Sequence, residues 1–264
     1  MTIMDKNNRG KLLLFDLDDT LLRSDKTISV RTLEALRKCR EKGVLIGIST
    51  SRAVHNCMVF LPELTPDLFI ASGGAVIQYH GEYIYTAEFT VEETQQMIRT
   101  AREVCGSDCE ITIDTLDAHY WNYKVNPKET DVTWGDTIYT DFSDYAEKAL
   151  KFCVEIFDDS VAKRLAGCLS DCDCLRFSGT VWYKFSKKEA TKENAILKAC
   201  EVCGISVEDV TAFGDDVPDI GMLKLCGTGV AMGNALDTVK KAADVVIGSN
   251  DKDGIAKYLE QLDY

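Results

Sequence analysis

Three carboxylates and a threonine follow directly after an apolar run near the start of the chain. Residues 12–15 are Leu-Leu-Leu-Phe, and Asp16, Asp18, Asp19 and Thr20 come next. If the strand continues for two residues, the side chains of Asp16 and Asp18 point to the same side. Converging carboxylates need a cation between them, and their hard oxygen atoms suit Mg²⁺. Taken alone, the segment predicts either a magnesium site or a turn in which these side chains accept hydrogen bonds from backbone amides.

The elements that position these residues follow from the apolar pattern. The short run 12–15 is typical of a strand buried on both faces, as in a parallel sheet. Further strands are predicted at 44–48, 68–71, 210–213, 229–232 and 245–247, and helices at 29–42, around 57–61, at 191–202, 219–225 and 236–242, and at the end of the chain. Strands that alternate with helices predict right-handed crossovers and a parallel sheet.

The pattern changes after about residue 79. A hairpin turn is predicted at 78–82, and Thr90 with Glu93 predicts a capping box for a helix that reaches residue 104. Strands are then predicted at 110–114, 119–123, 154–157, 175–177 and 181–185, and helices at 145–152 and 161–169. Hairpins and alternating strands indicate an α+β unit with an antiparallel sheet, inserted into the α/β unit.

Four polar clusters follow the predicted strands or begin a helix of the α/β unit. They are 16–20, 49–52, the segment around Lys192, and 214–219. In an open α/β sheet, ligands bind beyond the carboxyl ends of the strands. Each cluster alone has an ordinary explanation as a cap, a turn or a solvated charge, but the four together predict a shared site.

Composition limits the classes of function. The chain has 264 residues, 45% of them hydrophobic, and a formal net charge of −13. Such a charge argues against binding to nucleic acid or to anionic membranes. No apolar stretch approaches the roughly 18 to 20 residues of a membrane span, and no secretory signal is recognisable, so we predict a cytoplasmic protein.

The eleven cysteines are predicted to be reduced thiols, because a chain of this size does not need disulfides to fold. Cys200 and Cys203 form a CxxC pair, but they fall on one side of a predicted helix. Core packing is therefore favoured over a zinc site.

The ordered motifs resemble those of the haloacid dehalogenase superfamily phosphatases. The likeness is carried by FDLDDTLL at 15–22, the strand that ends at Thr50, Lys192, and GDDVPD at 214–219. The α+β insertion resembles that of the large-cap branch, which includes the Cof-type sugar phosphatases. VAMGNA at 230–235, the Ala-Asp pair at 243–244 and SNDKDG at 249–254 are also similar to that subfamily.

The resemblance implies a fold with two parts. The fold class is α/β, with a Rossmann-like parallel-sheet core formed by residues 1–82 and 187–264 and an inserted α+β cap domain formed by 83–186. The cap is expected to set specificity by closing over the leaving group. Its aromatic residues are interpreted as sheet core rather than as a substrate surface; they are Tyr120, Trp121, Tyr123, Trp182 and Tyr183.

The resemblance also implies a mechanism. Asp16 attacks phosphorus and forms an aspartyl phosphate, and Asp18 acts as the general acid and then as the general base. Thr50 and Lys192 bind the transferring phosphoryl oxygens. Mg²⁺ is the implied cofactor; its ligands are Asp16, Asp18 through its backbone carbonyl, Asp215 and Asp219. The residues expected to contact substrate are Leu17 and Ser51 through their amides, Arg52, Gly73 and Gly74. His119 is a further, weaker candidate.

The implied function is Mg²⁺-dependent hydrolysis of small phosphorylated metabolites, with sugar phosphates as the favoured substrates. One alternative is a phosphotransferase similar to phosphomannomutases. Another is a non-catalytic sensor, suggested by two departures from the family pattern: Gly73 stands in place of Asn, and Pro218 in place of Asn. A third departure, Ser51 in place of Gly, costs little if Ser51 needs no positive φ. No oligomeric state is predicted.

Overall fold

The structure is a computed structural model that describes residues 11–124 and 137–262. Its strands are β1 Leu12–Phe15, β2 Leu45–Ser49, β3 Leu68–Ala71, β4 Val76–Tyr79, β5 Glu82–Thr86, β6 Ile111–Asp114, β7 His119–Trp121, β8 Thr137–Tyr139, β9 Lys151–Glu155, β10 Cys172–Arg176, β11 Trp182–Lys187, β12 Val210–Gly214, β13 Thr228–Ala231 and β14 Val245–Val246. No helix within the described ranges is long and apolar enough to cross a membrane.

The helices are α1 Val30–Glu41, α2 Val91–Cys105, α3 Asp159–Cys168, α4 Lys192–Cys203, α5 Ile220–Leu225, α6 Asp237–Lys240 and α7 Gly254–Leu259. The Ser29 side chain accepts a hydrogen bond from the Thr32 amide at the start of α1. The predicted capping box of Thr90 and Glu93 is formed at the start of α2. Side-chain oxygens satisfy amides that have no partner within the helix, so these helices begin where the sequence predicts.

An eight-stranded sheet forms the α/β part, in the order β14-β13-β12-β1-β2-β3-β4-β5. The strands from β14 to β3 are parallel, whereas β4 and β5 form an antiparallel hairpin at one edge. β1 lies in the middle and is fully buried, between β12 and β2. The predicted α/β fold class with a parallel core sheet is confirmed.

A second sheet has six strands in the order β10-β11-β9-β6-β7-β8, antiparallel except for the β7 and β8 pair. One face carries apolar side chains that pack in a second hydrophobic core with residues of α2 and α3. Side chains alternate along a strand, so the opposite face is made by the intervening residues. We call it the polar face; its members are Thr112, Asp114, His119, Trp121, Lys151, Cys153, Trp182 and Lys184. The domain boundaries at 82/83 and 186/187 remain a proposal.

Two predicted helices are wrong. The helix expected at 145–152 is instead irregular chain that leads into β9, which pairs with β6 and β11. The Phe89 amide donates to the Ala149 carbonyl at 2.8 Å, so pairing with distant residues overrides the local helical pattern. The helix expected near 57–61 is only the 3₁₀ turn Met58–Phe60, because the residue before Pro62 avoids the helical conformation.

The CxxC pair lies in the main core, as predicted. Cys200 is buried and Cys203 packs partly buried against the same cluster. Both thiols are free, and burial raises their pKa. These cysteines therefore act as small apolar residues.

Candidate active site

Lys192 is the centre of the site at the carboxyl edge of the core sheet. Thr191 caps α4 through its side chain, so Lys192 is the first residue of that helix. Its ammonium nitrogen Nζ donates to Asp16 Oδ1, Asp219 Oδ1 and the Ser49 carbonyl, each at 2.7 Å. Burial alone lowers the pKa of this lysine, but the two carboxylates raise it by more. Lys192 is therefore a permanent cation beneath the site.

Asp16 and Asp18 have different cationic partners. β1 ends at Phe15, Asp18 has an extended conformation and Asp19 has a φ of 57°. The expectation that the strand persists to Asp18 is thus wrong. The Asp18 carboxylate is bound by Arg52, with Nε to Oδ2 at 2.6 Å and Nη2 to Oδ1 at 2.9 Å, and by Lys26 at 2.9 Å. Each carboxylate therefore has its own cation: Lys192 for Asp16, and Arg52 with Lys26 for Asp18.

Three other carboxylates do converge. One oxygen from each of Asp16, Asp215 and Asp219 lies within 4.8 Å of the others. Burial, with repulsion from Asp219 and Asp215, raises the pKa of Asp16 despite Lys192. Burial and the charge of Asp219 likewise raise the pKa of Asp215 to about 7, although Thr20 Oγ1 donates to it at 2.7 Å. A set of hard oxygens with excess negative charge fits Mg²⁺.

Pro218 does not prevent Asp219 from being oriented. It lies in the 3₁₀ turn Val217–Asp219, a position that its fixed φ favours. Asp219 Oδ2 accepts hydrogen bonds from the backbone amides of Asp215 at 3.0 Å and Asp216 at 3.2 Å. The turn itself thus holds the carboxylate in place.

The loop after β2 carries Thr50. Its amide donates to the Ile70 carbonyl at 2.9 Å, and its hydroxyl accepts from the Arg52 amide at 3.1 Å. The Gly73 amide donates to the Thr50 carbonyl at 2.9 Å. The loop is therefore fixed on both sides, and Thr50 is buried at the sheet edge.

Gly73 and Gly74 allow close contacts behind this loop. Both have positive φ, 71° and 105°. A Cβ atom on Gly74 would lie 2.1 Å from the Thr191 carbonyl oxygen, and one on Gly73 would lie 2.6 Å from Lys184 Nζ. Gly74 is needed for the close approach to the Thr191 backbone, and glycine at Gly73 is favoured by its positive φ, with the flexible end of Lys184 as its nearest neighbour.

A cavity of about 620 Å³ lies between the two sheets. The core contributes Asp16, Asp18, Thr50, Lys192, Asp215 and Asp219, and the predicted substrate contacts Ser51 and Arg52 also line it. The other predicted contacts, Leu17, Gly73 and Gly74, do not line the cavity within the described ranges, and Leu17 is fully buried. The four sequence clusters predicted to share a site thus all contribute residues to the wall of this cavity.

The polar face supplies Asp114 and Lys151, which the sequence analysis missed, and His119, which it named only as a weaker candidate for substrate contact. Lys151 Nζ lies 2.6 Å from Asp114 Oδ2 and donates to the Ser51 carbonyl at 3.0 Å. His119 Nδ1 is hydrogen-bonded to Asp114 Oδ1. The signal was present in β6, where Ile111 and Ile113 alternate with polar residues, but alternation alone does not tell whether the polar side is buried.

The aromatic residues of the insert divide between the two faces. Tyr120 and Tyr183 pack in the second hydrophobic core, as predicted. Trp121 and Trp182 line the cavity, with their ring centroids 5.8 Å apart and nearly perpendicular. Tyr123 packs beside Trp121. The interpretation of these residues as sheet core is therefore wrong for the two tryptophans.

Comparisons with known proteins agree with this geometry. The haloacid dehalogenase-like hydrolase family model matches residues 13–259. The chain is 31% identical to the 5-amino-6-(5-phospho-D-ribitylamino)uracil phosphatase YcsE of Bacillus subtilis, over 97% of each protein. It is 30% identical to the pyridoxal phosphate phosphatase YbhA of Escherichia coli, over 94% of this chain and 97% of the relative. The structure of the HAD subclass IIB sugar phosphatase BT4131 is similar, with a TM-score of 0.81, 25% identity and coverage of 95% and 98% of the two chains.

Proposed function

The chain belongs to the haloacid dehalogenase-like hydrolase family and is a phosphatase of that family, and we propose that it hydrolyses small phosphorylated metabolites with Mg²⁺ through an aspartyl phosphate on Asp16. The observation that carries the proposal is the arrangement of Asp16, Asp215 and Asp219 around one buried lysine. A nucleophilic carboxylate, a cation and further oxygen ligands at one cavity end are what phosphoryl transfer requires.

Asp16 is the proposed nucleophile because it lines the cavity and is oriented by Lys192. Attack by one of its carboxylate oxygens on phosphorus displaces the alcohol and leaves the phosphoryl group on Asp16. Water then attacks the same phosphorus and releases phosphate. Two displacements replace one difficult direct hydrolysis.

The proposed magnesium ligands are the carboxylates of Asp16, Asp215 and Asp219, with the backbone carbonyl of Asp18. When bound, Mg²⁺ would neutralise charge on the phosphoryl oxygens and on the carboxylates. Thr50 and Lys192 are the protein groups proposed to hold the transferring phosphoryl oxygens. Their contribution is greatest where charge develops during transfer. Because the three N–H groups of Lys192 are donated to Asp16, Asp219 and Ser49, Lys192 has to exchange one of these bonds for a phosphoryl oxygen when the substrate enters.

Asp18 is the proposed general acid for the leaving oxygen and general base for the water. Burial raises the pKa of its carboxyl, but the hydrogen bonds and charges of Arg52 and Lys26 lower it by more, so the pKa lies below its ordinary value. Asp18 is therefore a carboxylate in the geometry described here. To act as an acid, Asp18 has to lose its contact with Arg52 or Lys26 and take up a proton when the substrate enters.

The substrates proposed are phosphate monoesters of small alcohols, including sugar phosphates. Support comes from the cavity volume of about 620 Å³, and from relatives whose names specify a phosphoribitylamino-uracil, pyridoxal phosphate and a sugar phosphate. All three names describe small phosphorylated compounds, so the shared chemistry is the phosphomonoester.

The test is phosphate release from a panel of such esters, with Mg²⁺ and with EDTA, by the wild-type protein and by Asp16→Asn. We expect Mg²⁺-dependent release that Asp16→Asn abolishes while the circular dichroism spectrum is unchanged. Release that requires an added bisphosphate would instead favour the phosphotransferase. Binding of esters with no release from any of them would favour the sensor.

A further inference from the structure

The polar face places a carboxylate, an imidazole and an ammonium group side by side. Asp114 ends β6, and the strand register sets it opposite His119 on β7 and Lys151 on β9. All three side chains are buried, and Asp114 has no exposed surface. His119 and Lys151 also line the cavity. These three side chains can bind part of a substrate only if one of their polar atoms is not already used in a hydrogen bond among themselves.

Asp114 fixes the hydrogen-bonding state of His119. Burial raises the pKa of the Asp114 carboxyl, but Lys151 and His119 lower it by more, so Asp114 is a carboxylate and can only accept hydrogen bonds. His119 Nδ1 must then carry the proton that it shares with Asp114. In the neutral ring this leaves a lone pair on Nε2, and Nε2 has no hydrogen-bond partner within residues 11–124 and 137–262.

Two indole rings lie beside this acceptor. Trp121 is two residues beyond His119 on β7 and therefore projects from the same face. Trp182 meets it edge to face and is half-buried. Indole faces bind flat, unsaturated rings by stacking, in addition to the burial of apolar surface.

We propose that His119, Trp121 and Trp182 form a leaving-group subsite for a phosphomonoester whose alcohol part carries a planar unsaturated ring. The ring packs on the indoles and presents an N–H or O–H group to His119 Nε2. The inference rests on the proposed function, because Asp16 and the subsite must hold the two ends of one substrate. Asp114 is a positioning residue that selects the His119 tautomer.

Three esters separate the contributions. Uridine 5′-monophosphate has a planar ring with an N–H donor, its 3-methyl derivative lacks that donor, and ribose 5-phosphate lacks the base. We expect the wild-type protein to hydrolyse uridine 5′-monophosphate with a kcat/KM at least about tenfold above that of ribose 5-phosphate. The methylated ester should fall between them, since one hydrogen bond is lost.

Variants assign the effect to residues. His119→Ala and Trp182→Leu should each lower kcat/KM for uridine 5′-monophosphate by about tenfold, mainly through KM, and change ribose 5-phosphate by less than about twofold. Tyr120→Leu, on the opposite face, is the matched control and should affect both esters alike. Asp114→Asn should raise KM as His119→Ala does, and the double variant should add nothing more, which a purely structural role would not produce.

The proposal is overturned if the wild-type protein prefers ribose 5-phosphate. It is equally overturned if His119→Ala and Trp182→Leu lower the hydrolysis of both esters equally or of neither. Failure of the proposed function gives a different result, because then either the wild-type protein releases no phosphate from any of the three esters or Asp16→Asn releases it at the wild-type rate.

Discussion

Two buried lysines hold the same loop from opposite sides. Lys192 of the core binds the Ser49 carbonyl, and Lys151 of the six-stranded sheet binds the Ser51 carbonyl. Each ammonium group is also paired with a buried carboxylate, Asp219 in one case and Asp114 in the other. Each cluster therefore combines a lysine with a carboxylate, and each lysine donates to a backbone carbonyl next to Thr50.

They differ in charge balance. Lys192 faces a site with three carboxylates, whereas Asp114 alone faces both Lys151 and His119. In the first cluster the pKa of Asp215 is raised to about 7, mainly by burial, while in the second the charge of Lys151 and the hydrogen-bonded His119 lower the pKa of Asp114 despite burial. The Lys192 cluster has excess negative charge, so it requires a further cation and can carry out phosphoryl transfer. In the Asp114 cluster the charges are balanced, so this cluster fixes the positions of its side chains.

The largest predicted effect is a difference in kcat between variants of the two lysines. Lys192→Met should lower kcat by about 10² to 10³, because it removes a donor to the transferring charge. Lys151→Met should lower kcat by less than about tenfold and act mainly on stability. Steady-state kinetics on one phosphate ester decides between them. Equal losses in kcat would mean that the two clusters do not have separate roles.

Next in size is the effect of removing one carboxylate from each cluster. Asp114→Asn should lower the free energy of unfolding by about 3–5 kcal/mol, since it removes the negative charge that is paired with the buried Lys151 ammonium. Without Mg²⁺, Asp215→Asn should not destabilise the protein, because it removes a charge that the neighbouring carboxylates repel. Urea unfolding followed by circular dichroism measures both. A larger loss for Asp215→Asn would contradict the comparison.

The pH dependence should have opposite signs in the two regions. Asp215 has a raised pKa when folded, so in EDTA the folded state binds more protons than the unfolded state between about pH 4 and 7. Stability should therefore fall as the pH rises through that window. For Asp114 the pKa is lowered, so its contribution is complete above about pH 4 and is lost as the pH falls below it.

Thermal melting at several pH values checks these signs. In EDTA, Asp215→Asn should lose less stability than the wild-type protein as the pH rises from 4 to 7. With saturating Mg²⁺, the stability of the wild-type protein should instead rise over this window, since the ion binds carboxylates and not carboxylic acids. A stability that rises over this window in EDTA would show that the carboxylates are not held against one another.

The smallest effect concerns Gly73, which lies between the regions. Gly73→Ala should lower the free energy of unfolding by about 1 kcal/mol or more, because alanine disfavours its φ of 71° and its Cβ would meet Lys184. Gly81→Ala is the matched control, since Gly81 has a φ of 83° and a Cβ atom added there would have no neighbour within 4 Å among the described residues. Chemical denaturation compares the two; equal losses would mean that the Lys184 contact adds nothing.

The core of the fold could be predicted because its signals are local. The apolar run of β1, the Ser29 cap and the Thr90 capping box each act within a few residues, and parallel strands necessarily bring their polar ends to one edge. For this reason Asp16, Thr50, Lys192 and Asp215 were placed together from sequence alone.

What could not be predicted depends on distant partners. The pairing of Asp18 with Arg52 requires the turn after β1 and the loop after β2 to meet. The strand at Lys151–Glu155 forms because it pairs with β6 and β11, although residues 145–152 have a helical sequence pattern. Likewise, alternation in β6 and β7 separates two faces, but only the arrangement of the two sheets decides which face lines the cavity.

The central claim is that Asp16 carries the phosphoryl group during turnover. The most direct measurement is a rapid acid quench of the protein mixed with Mg²⁺ and a hydrolysed ester labelled in its phosphate, followed by peptide mass spectrometry. We expect label on the peptide that contains Asp16, stable in acid, released by hydroxylamine and absent in Asp16→Asn. Turnover with no label on that peptide, or with undiminished phosphate release by Asp16→Asn, would contradict the account.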